Sequence, residues 1–296
     1  MPTRRTFLQQ AAALAAAGSL APMTLTAQAR YKMGLQLYTI RDAMRRDVEG
    51  TLKQVGRLGY QEVETYGFDP KGIGYYNLPA RDFAQRLADS GLTTPSGHYD
   101  LDTFATASDA DLYAYVDRCI EGARALGQRY ITWPFLEPPL RQLESFTKIV
   151  ARFNGIGERM AKAGLQFAYH NHGFEFTEQN GRVPYDVVLR ETDPKLVKLQ
   201  LDLYWLSRDS NQPPRYWFER APGRYVMWHV KDMHKVSRDY TELGNGTIDY
   251  AKIWPDAAFS GMRHFFVEQG SNFAKDSMQS AADGAAYVKR YLLTRP

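Results

Sequence analysis

The stretch LQLYTIRDAMRRD, residues 35–47, separates the two architectures that the rest of the chain allows. It follows the first apolar run, where a doubly wound open sheet would place a Gly-rich phosphate loop. It contains no glycine. Outward from it, eight short apolar runs recur: MGLQLYT (33–39), EVETYG (62–67), LTTPSGH (92–98), YITWPF (130–135), LQFAYH (165–170), VKLQLDLYW (197–205), YVMWHVK (225–231) and HFFVEQ (264–269). Amphipathic stretches such as VEGTLKQVGRLG (48–59) and ARDFAQRLADSG (80–91) lie between them and close on glycine, as a helix C-cap does. Spread over residues 30–296, eight such units average roughly 33 residues, close to the βα unit of a (β/α)8 barrel. Runs that are apolar without clean alternation suit strands covered on both faces. The sequence therefore predicts an α/β fold, one TIM barrel spanning residues 30–296.

Residues 1–29, MPTRRTFLQQAAALAAAGSLAPMTLTAQA, stand apart from that pattern. Paired Arg4 and Arg5, an Ala/Leu-rich run and Ala27-Gln28-Ala29 describe a cleavable export segment. TRRTFL resembles the twin-arginine signal, which implies carriage in a folded state and a periplasmic or otherwise exported location. Without its two arginines the net charge falls from +4 to +2, and no basic stripe with interleaved aromatics stands out. Nucleic acid is therefore excluded as a partner. No later apolar run is long enough to cross a bilayer, so no stable membrane insertion is expected. The one cysteine, Cys119, permits no intramolecular disulfide and reads as a buried, inert thiol. A homo-oligomer is compatible with all of this.

In a (β/α)8 barrel the reactive groups gather at the C-terminal ends of the strands. Those ends carry Gln36 and Tyr38, Glu64, His98, Trp133, His170 with His172, Asp202, His229 with Lys231, and Glu268. Asp202, in LQLDLYW, is a carboxylate in an apolar strand that needs a cation or several donors; the plainer reading is a cap on a neighbouring loop. His170, Asp202, His229 and Glu268 end four consecutive strands. Together they suit one divalent ion with positions left for substrate. Two imidazoles, two carboxylates and no thiolate suit Mn2+, Zn2+, Co2+ or Fe2+, and Mg2+ less well; spacing alone does not choose among them, and Mn2+ is taken as the favoured ion. His172 points the same way as His170 but one step further out, as a base or a supporting group. The alternatives are a backbone-bonded loop histidine for His172 and, for Lys231, a salt bridge to Asp232 or a neighbouring carboxylate. Trp133, Trp205, Tyr38 and Tyr66 offer flat faces for a sugar ring, although aromatics in a barrel more often pack.

YHNHGFEF, LDLYW, WHVKDM, GNGTIDY and FVEQ, in this order, resemble the xylose isomerase-like TIM barrels described as sugar phosphate isomerases/epimerases. GLQLYTIRD and EVETYG fit as well. The resemblance implies a divalent metal at the ends of strands five to eight, with Asp202, His229 and Glu268 on three ligand positions. The fourth, commonly glutamate in the ketose epimerases, is His170 here. His172 stands where dehydratase and lyase relatives keep a histidine base. The resemblance also places GNGTID near substrate. The endonuclease branch needs a D-x-x-H pair, and Asp202-Leu203-Tyr204-Trp205 departs from it.

The expected function is thus a metal-dependent sugar isomerase or epimerase that removes a proton next to a carbonyl through an enediolate. Glu268, His172 and Lys231 are its catalytic candidates. Gln36, Tyr38, Glu64, His98, Trp133 and Trp205 are its substrate-binding candidates. The alternative is a dehydratase or 3-keto-glycoside lyase with His172 as base, and behind both stands a non-catalytic sugar-binding barrel. The partner in each case is a small sugar or glycoside.

Overall fold

The structure, a computed structural model, describes residues 31–294. The expected export segment, residues 1–29, lies outside the described residues. Eight parallel strands form the barrel, and we number them β1 to β8: Met33–Gln36, Glu62–Thr65, Thr93–His98, Tyr130–Trp133, Gln166–His170, Val197–Asp202, Met227–Val230 and His264–Val267. Each strand pairs with its sequence neighbours, and β1 pairs with β8 to close the ring. Closure leaves no edge to protect, and strands covered on both faces read as apolar runs broken mainly by the polar residues that face the mouth.

Side-chain parity sets what faces the axis, because residues two apart on a strand share a face. Tyr130, Ala168, Met227 and Phe266, with Val226, form a small apolar cluster separate from the main core between sheet and helices. Two residues further along come Thr132, His170, His229 and Glu268, so the floor of the barrel is apolar and its mouth is polar. Gly34 belongs to the floor: a Cβ there would lie 2.6 Å from the Phe266 ring and 2.4 Å from the Phe265 carbonyl oxygen. β3 holds one extra residue against β2, between Glu62↔Thr93 and Glu64↔Ser96, and Pro95 sits in that irregularity. A proline cannot donate to the ladder, so a bulge is where a covered strand tolerates one. The slip sets Ser96 beside Glu64.

Cys119 is fully buried, and burial pushes its thiol up, as expected of an inert cysteine. Among the described residues no helix is long and apolar enough to cross a membrane.

Candidate functional site

A cavity of about 360 Å3 opens at the C-terminal ends of the strands. It is lined by Tyr38, Tyr66, His98, Asp100, Pro134, Phe135, His170, His172, Trp205, Lys231, Tyr240, Glu268 and Gly270. Of the sequence candidates, Gln36, Glu64, Trp133, Asp202 and His229 are absent from this lining.

Trp133 is a correction. β4 turns Tyr130 and Thr132 inward and therefore Trp133 outward. Its indole is buried, packs on Phe153 at 5.3 Å between ring centroids and donates to the Phe135 carbonyl at 2.6 Å. Gln36 and Glu64 lie beneath the mouth rather than at its surface. Glu64 is fully buried and accepts from Gln36 Nε2 (2.7 Å), Ser96 Oγ (2.6 Å), Gln200 Nε2 (2.7 Å) and His229 Nε2 (2.6 Å), with His98 Nε2 3.0 Å away. Burial raises its pKa, but the His98 and His229 imidazoles outweigh that and hold the carboxyl well below its usual range.

Gln200, which the sequence reading passed over, organises the next layer. Its Nε2 donates to Glu64, so its Oε1 must accept. His98 Nε2 (2.7 Å) and His170 Nδ1 (2.9 Å) both donate to that oxygen. His170 is kept neutral by burial and by the neighbouring histidines and Lys231. With Nδ1 donating, its Nε2 carries a lone pair, 3.7 Å from Asp202 Oδ2.

Asp202 divides its two readings between its two oxygens. Oδ1 accepts from the Trp205 N–H at 3.0 Å and caps the helix Leu203–Asp209. Oδ2 is buried; Lys231 Nζ lies 2.7 Å away without hydrogen-bond alignment, so the oxygen has an ion-pair neighbour and no directed donor. Lys231 also lies 2.9 Å from Glu268 Oε2. Lys231 therefore makes the expected salt bridge, with neighbouring carboxylates of the mouth rather than with Asp232. Burial lowers its pKa, but Asp202 and Glu268 prevail and raise it. His229 donates from Nδ1 to Glu268 at 2.6 Å and from Nε2 to Glu64 at 2.6 Å. Burial opposes its charge, and those two carboxylates overcome it, lifting its pKa to about 9. Burial likewise raises Glu268, while Lys231 and His229 bring it well below the ordinary range.

The stretch Tyr169–Glu175 shows why its two histidines stay apart. His170 faces the axis. Asn171 turns to β6, accepting from the Asp202 N–H at 3.0 Å and donating to the Asp202 carbonyl at 3.3 Å. His172 returns to the cavity. Its ring nitrogens make no hydrogen bond among the described residues; the ring meets Phe135, His170 and Trp205. Burial, Lys231 and Arg141 hold its pKa down to about 3, so the imidazole is neutral. Beneath it, Glu175 accepts from the His172 N–H at 3.0 Å and from the Tyr169 hydroxyl at 2.6 Å. Burial lifts Glu175 to about 7. A carboxyl raised from its unfolded value of 4.5 favours the fold below pH 4.5 and loses that advantage as the pH rises through 7. The shift is worth about 3 kcal/mol. Urea unfolding of Glu175→Gln against the parent should therefore show the parent losing about that much between pH 4.5 and 8 relative to the variant; parallel pH curves would refute it.

The GNGTID loop is not among the residues that line the cavity. It wraps Asp232, whose carboxylate accepts from the N–H groups of Gly244 (2.9 Å), Gly246 (3.0 Å) and Ile248 (3.1 Å). A Cβ at 246 would lie 2.1 Å from Asp232 Oδ1, which explains the glycine there.

Two groups of donors lie close enough to share an ion: Asp202, His229 and Glu268, and the three imidazoles of His98, His170 and His229. In the second, His98 Nε2, His170 Nδ1 and His229 Nε2 are already directed at Gln200 or Glu64. The first fits an ion better. It brings two carboxylates, and the free lone pair of His170 faces Asp202 Oδ2; His229, which donates from both ring nitrogens, would have to release a proton to join it.

A family model described as xylose isomerase-like TIM barrel matches residues 52–291. The chain belongs to this family. Among solved structures it is similar to a sugar phosphate isomerase/epimerase from Parabacteroides distasonis, 24% identical with TM-score 0.75, covering 91% of this chain and 97% of that one. An L-ribulose 3-epimerase is 18% identical with TM-score 0.65, covering 88% and 94%. The IolI protein with a bound zinc atom is 15% identical with TM-score 0.69, covering 88% and 99%. At these identities the likeness establishes the fold. No curated protein matches the chain.

Proposed function

We propose that this protein is a divalent-metal-dependent enzyme of the isomerase/epimerase type, which removes the proton next to a carbonyl of a sugar or keto-sugar. The observation that carries the proposal is the placement of His172, whose ring nitrogens make no hydrogen bond among the described residues, in the same cavity as Lys231 and Glu268 and beside His170. A divalent ion held by His170, Asp202, His229 and Glu268 would supply Lewis acidity to a carbonyl and its adjacent hydroxyl. His172 takes the C–H proton, and the Lys231 ammonium is placed to donate to the oxygen that gains charge. Tyr38, Tyr66, Phe135, Trp205 and Tyr240 enclose the sugar ring and exclude water from the reacting carbon. His172 then delivers the proton to the neighbouring carbon, giving isomerisation; delivery to the opposite face of the same carbon, giving epimerisation, would need a second group.

Elimination, as in a dehydratase or 3-keto-glycoside lyase, is the second reading, and one observation favours it. Proton exchange between two carboxylates needs a partner for Glu268, and β5 offers imidazoles there instead. Glu268 itself is held ionised by Lys231 and His229. Export of residues 30–296 by the twin-arginine route is part of the proposal and favours unphosphorylated sugars.

The test is incubation of Mn2+-loaded protein with free sugars, 3-keto sugars and glycosides in deuterated water. Deuterium at the carbon next to the carbonyl, abolished by chelator, is the expected result; loss of a β-substituent identifies elimination. A panel that neither exchanges nor eliminates would sink the enzymatic reading and leave a binding protein.

A further inference from the structure

The Lys231 ammonium already occupies the cation position of this site. Its Nζ touches Asp202 Oδ2 at 2.7 Å and Glu268 Oε2 at 2.9 Å. Those are the two carboxylates assigned to an ion under the proposed function, and this inference rests on that assignment. An ion bonded to both oxygens would sit about 2.1 Å from each, and so within about 4 Å of Nζ. The Lys231 side chain is buried, and Asp202 and Glu268 are its carboxylate contacts among the described residues. Two cations cannot share these oxygens at that separation without one giving way.

The ammonium has somewhere to go. Lys231 lines the cavity, and its Nζ lies 5.7 Å from the centroid of the Tyr240 ring on the cavity wall. A lysine side chain is long, with a compact charge that an aromatic face can receive. The Lys231 backbone cannot follow it, because the Tyr250 hydroxyl accepts from the Lys231 N–H at 2.9 Å and donates to its carbonyl at 2.7 Å. Only the side chain is free to exchange.

We propose that Lys231 is a metal-gated substrate-binding group. With its ammonium on Asp202 and Glu268 it closes the ion position; a divalent ion arriving on those oxygens expels it into the cavity, where it meets a substrate oxygen. Metal occupancy thereby delivers the second cation of the site.

The test uses the full chain and Mn2+ alone. Calorimetric titration of Lys231→Met should show Mn2+ bound at least tenfold more tightly than by the parent. In the parent, acetylation by an N-hydroxysuccinimide ester, read by peptide mass spectrometry, should find Lys231 protected without Mn2+ and labelled at least tenfold faster with saturating Mn2+. Equal or weaker Mn2+ binding by the variant, or labelling that Mn2+ leaves unchanged, overturns the proposal, as does the absence of Mn2+ binding by both proteins. Should the variant fail to fold, labelling of the parent decides alone. A failure of gating with Mn2+ still bound leaves the deuterium experiment standing, because proton exchange is assigned to His172; absence of Mn2+ binding by both proteins instead removes the metal assignment on which both rest.

Discussion

Replacing His172 with alanine should lower the rate of substrate proton exchange by about 10²–10⁴-fold, the span expected when a positioned general base is removed. The loss should appear in kcat, because the ring holds no backbone or ligand group in place. No hydrogen bond runs from its nitrogens to His170, Asp202, His229 or Glu268 among the described residues, so Mn2+ affinity should stay within about twofold. The turn that carries it is secured independently, by the Asn171 side chain on β6 and by Glu175 on the His172 N–H. The variant should therefore fold. Deuterium exchange and Mn2+ titration on one preparation separate the outcomes: exchange retained within about tenfold would remove His172 from the proton-transfer step, and lost metal binding would make it a structural group.

Glu64→Gln is expected to have the largest effect on stability. Glu64 receives donors on both oxygens and sits against a protonated His229, all of it buried. An amide in its place turns an NH2 group toward existing donors and leaves the imidazolium with Glu268 alone. Breaking a buried, hydrogen-bonded ion pair in this way costs about 3–5 kcal/mol. For a chain of this size that is a fall in Tm of roughly 10 °C. Mn2+ affinity should drop about 10–100-fold as well, since Glu64 orients the imidazole that would bind the ion. A melting curve within about 2 °C of the parent would show that the network carries no such load.

The effects differ because the two residues stand at different depths, and that depth was only partly legible in the sequence. Glu64, His170, Asp202, His229 and Glu268 could all be assigned to strand ends from the eight apolar runs. Which of them face the cavity could not. Trp133 was assigned to the mouth because it ends β4, yet counting by twos from Tyr130 would have turned it outward. Gln200 had no signal beyond its place two residues before Asp202. Its role comes from meeting Glu64 on β2 and His98 on β3, strands remote in sequence. The GNGTID loop gave no sequence signal of its anchor: three of its N–H groups find the Asp232 carboxylate.

By itself the sequence determined the barrel, its eight strands and the convergence of histidines and carboxylates at one end. Those follow from the period of apolar residues and from the ends of the runs, which are local properties. The tertiary structure decided who partners whom. His229 is charged because two carboxylates from other strands flank it, and His170 is neutral because it is buried beside His229, His98, His172 and Lys231. Lys231 spans Asp202 and Glu268 instead of its neighbour Asp232. Protonation and pairing depend on distances across the barrel axis, and closing the ring brings together groups as far apart in sequence as Glu64 and His229.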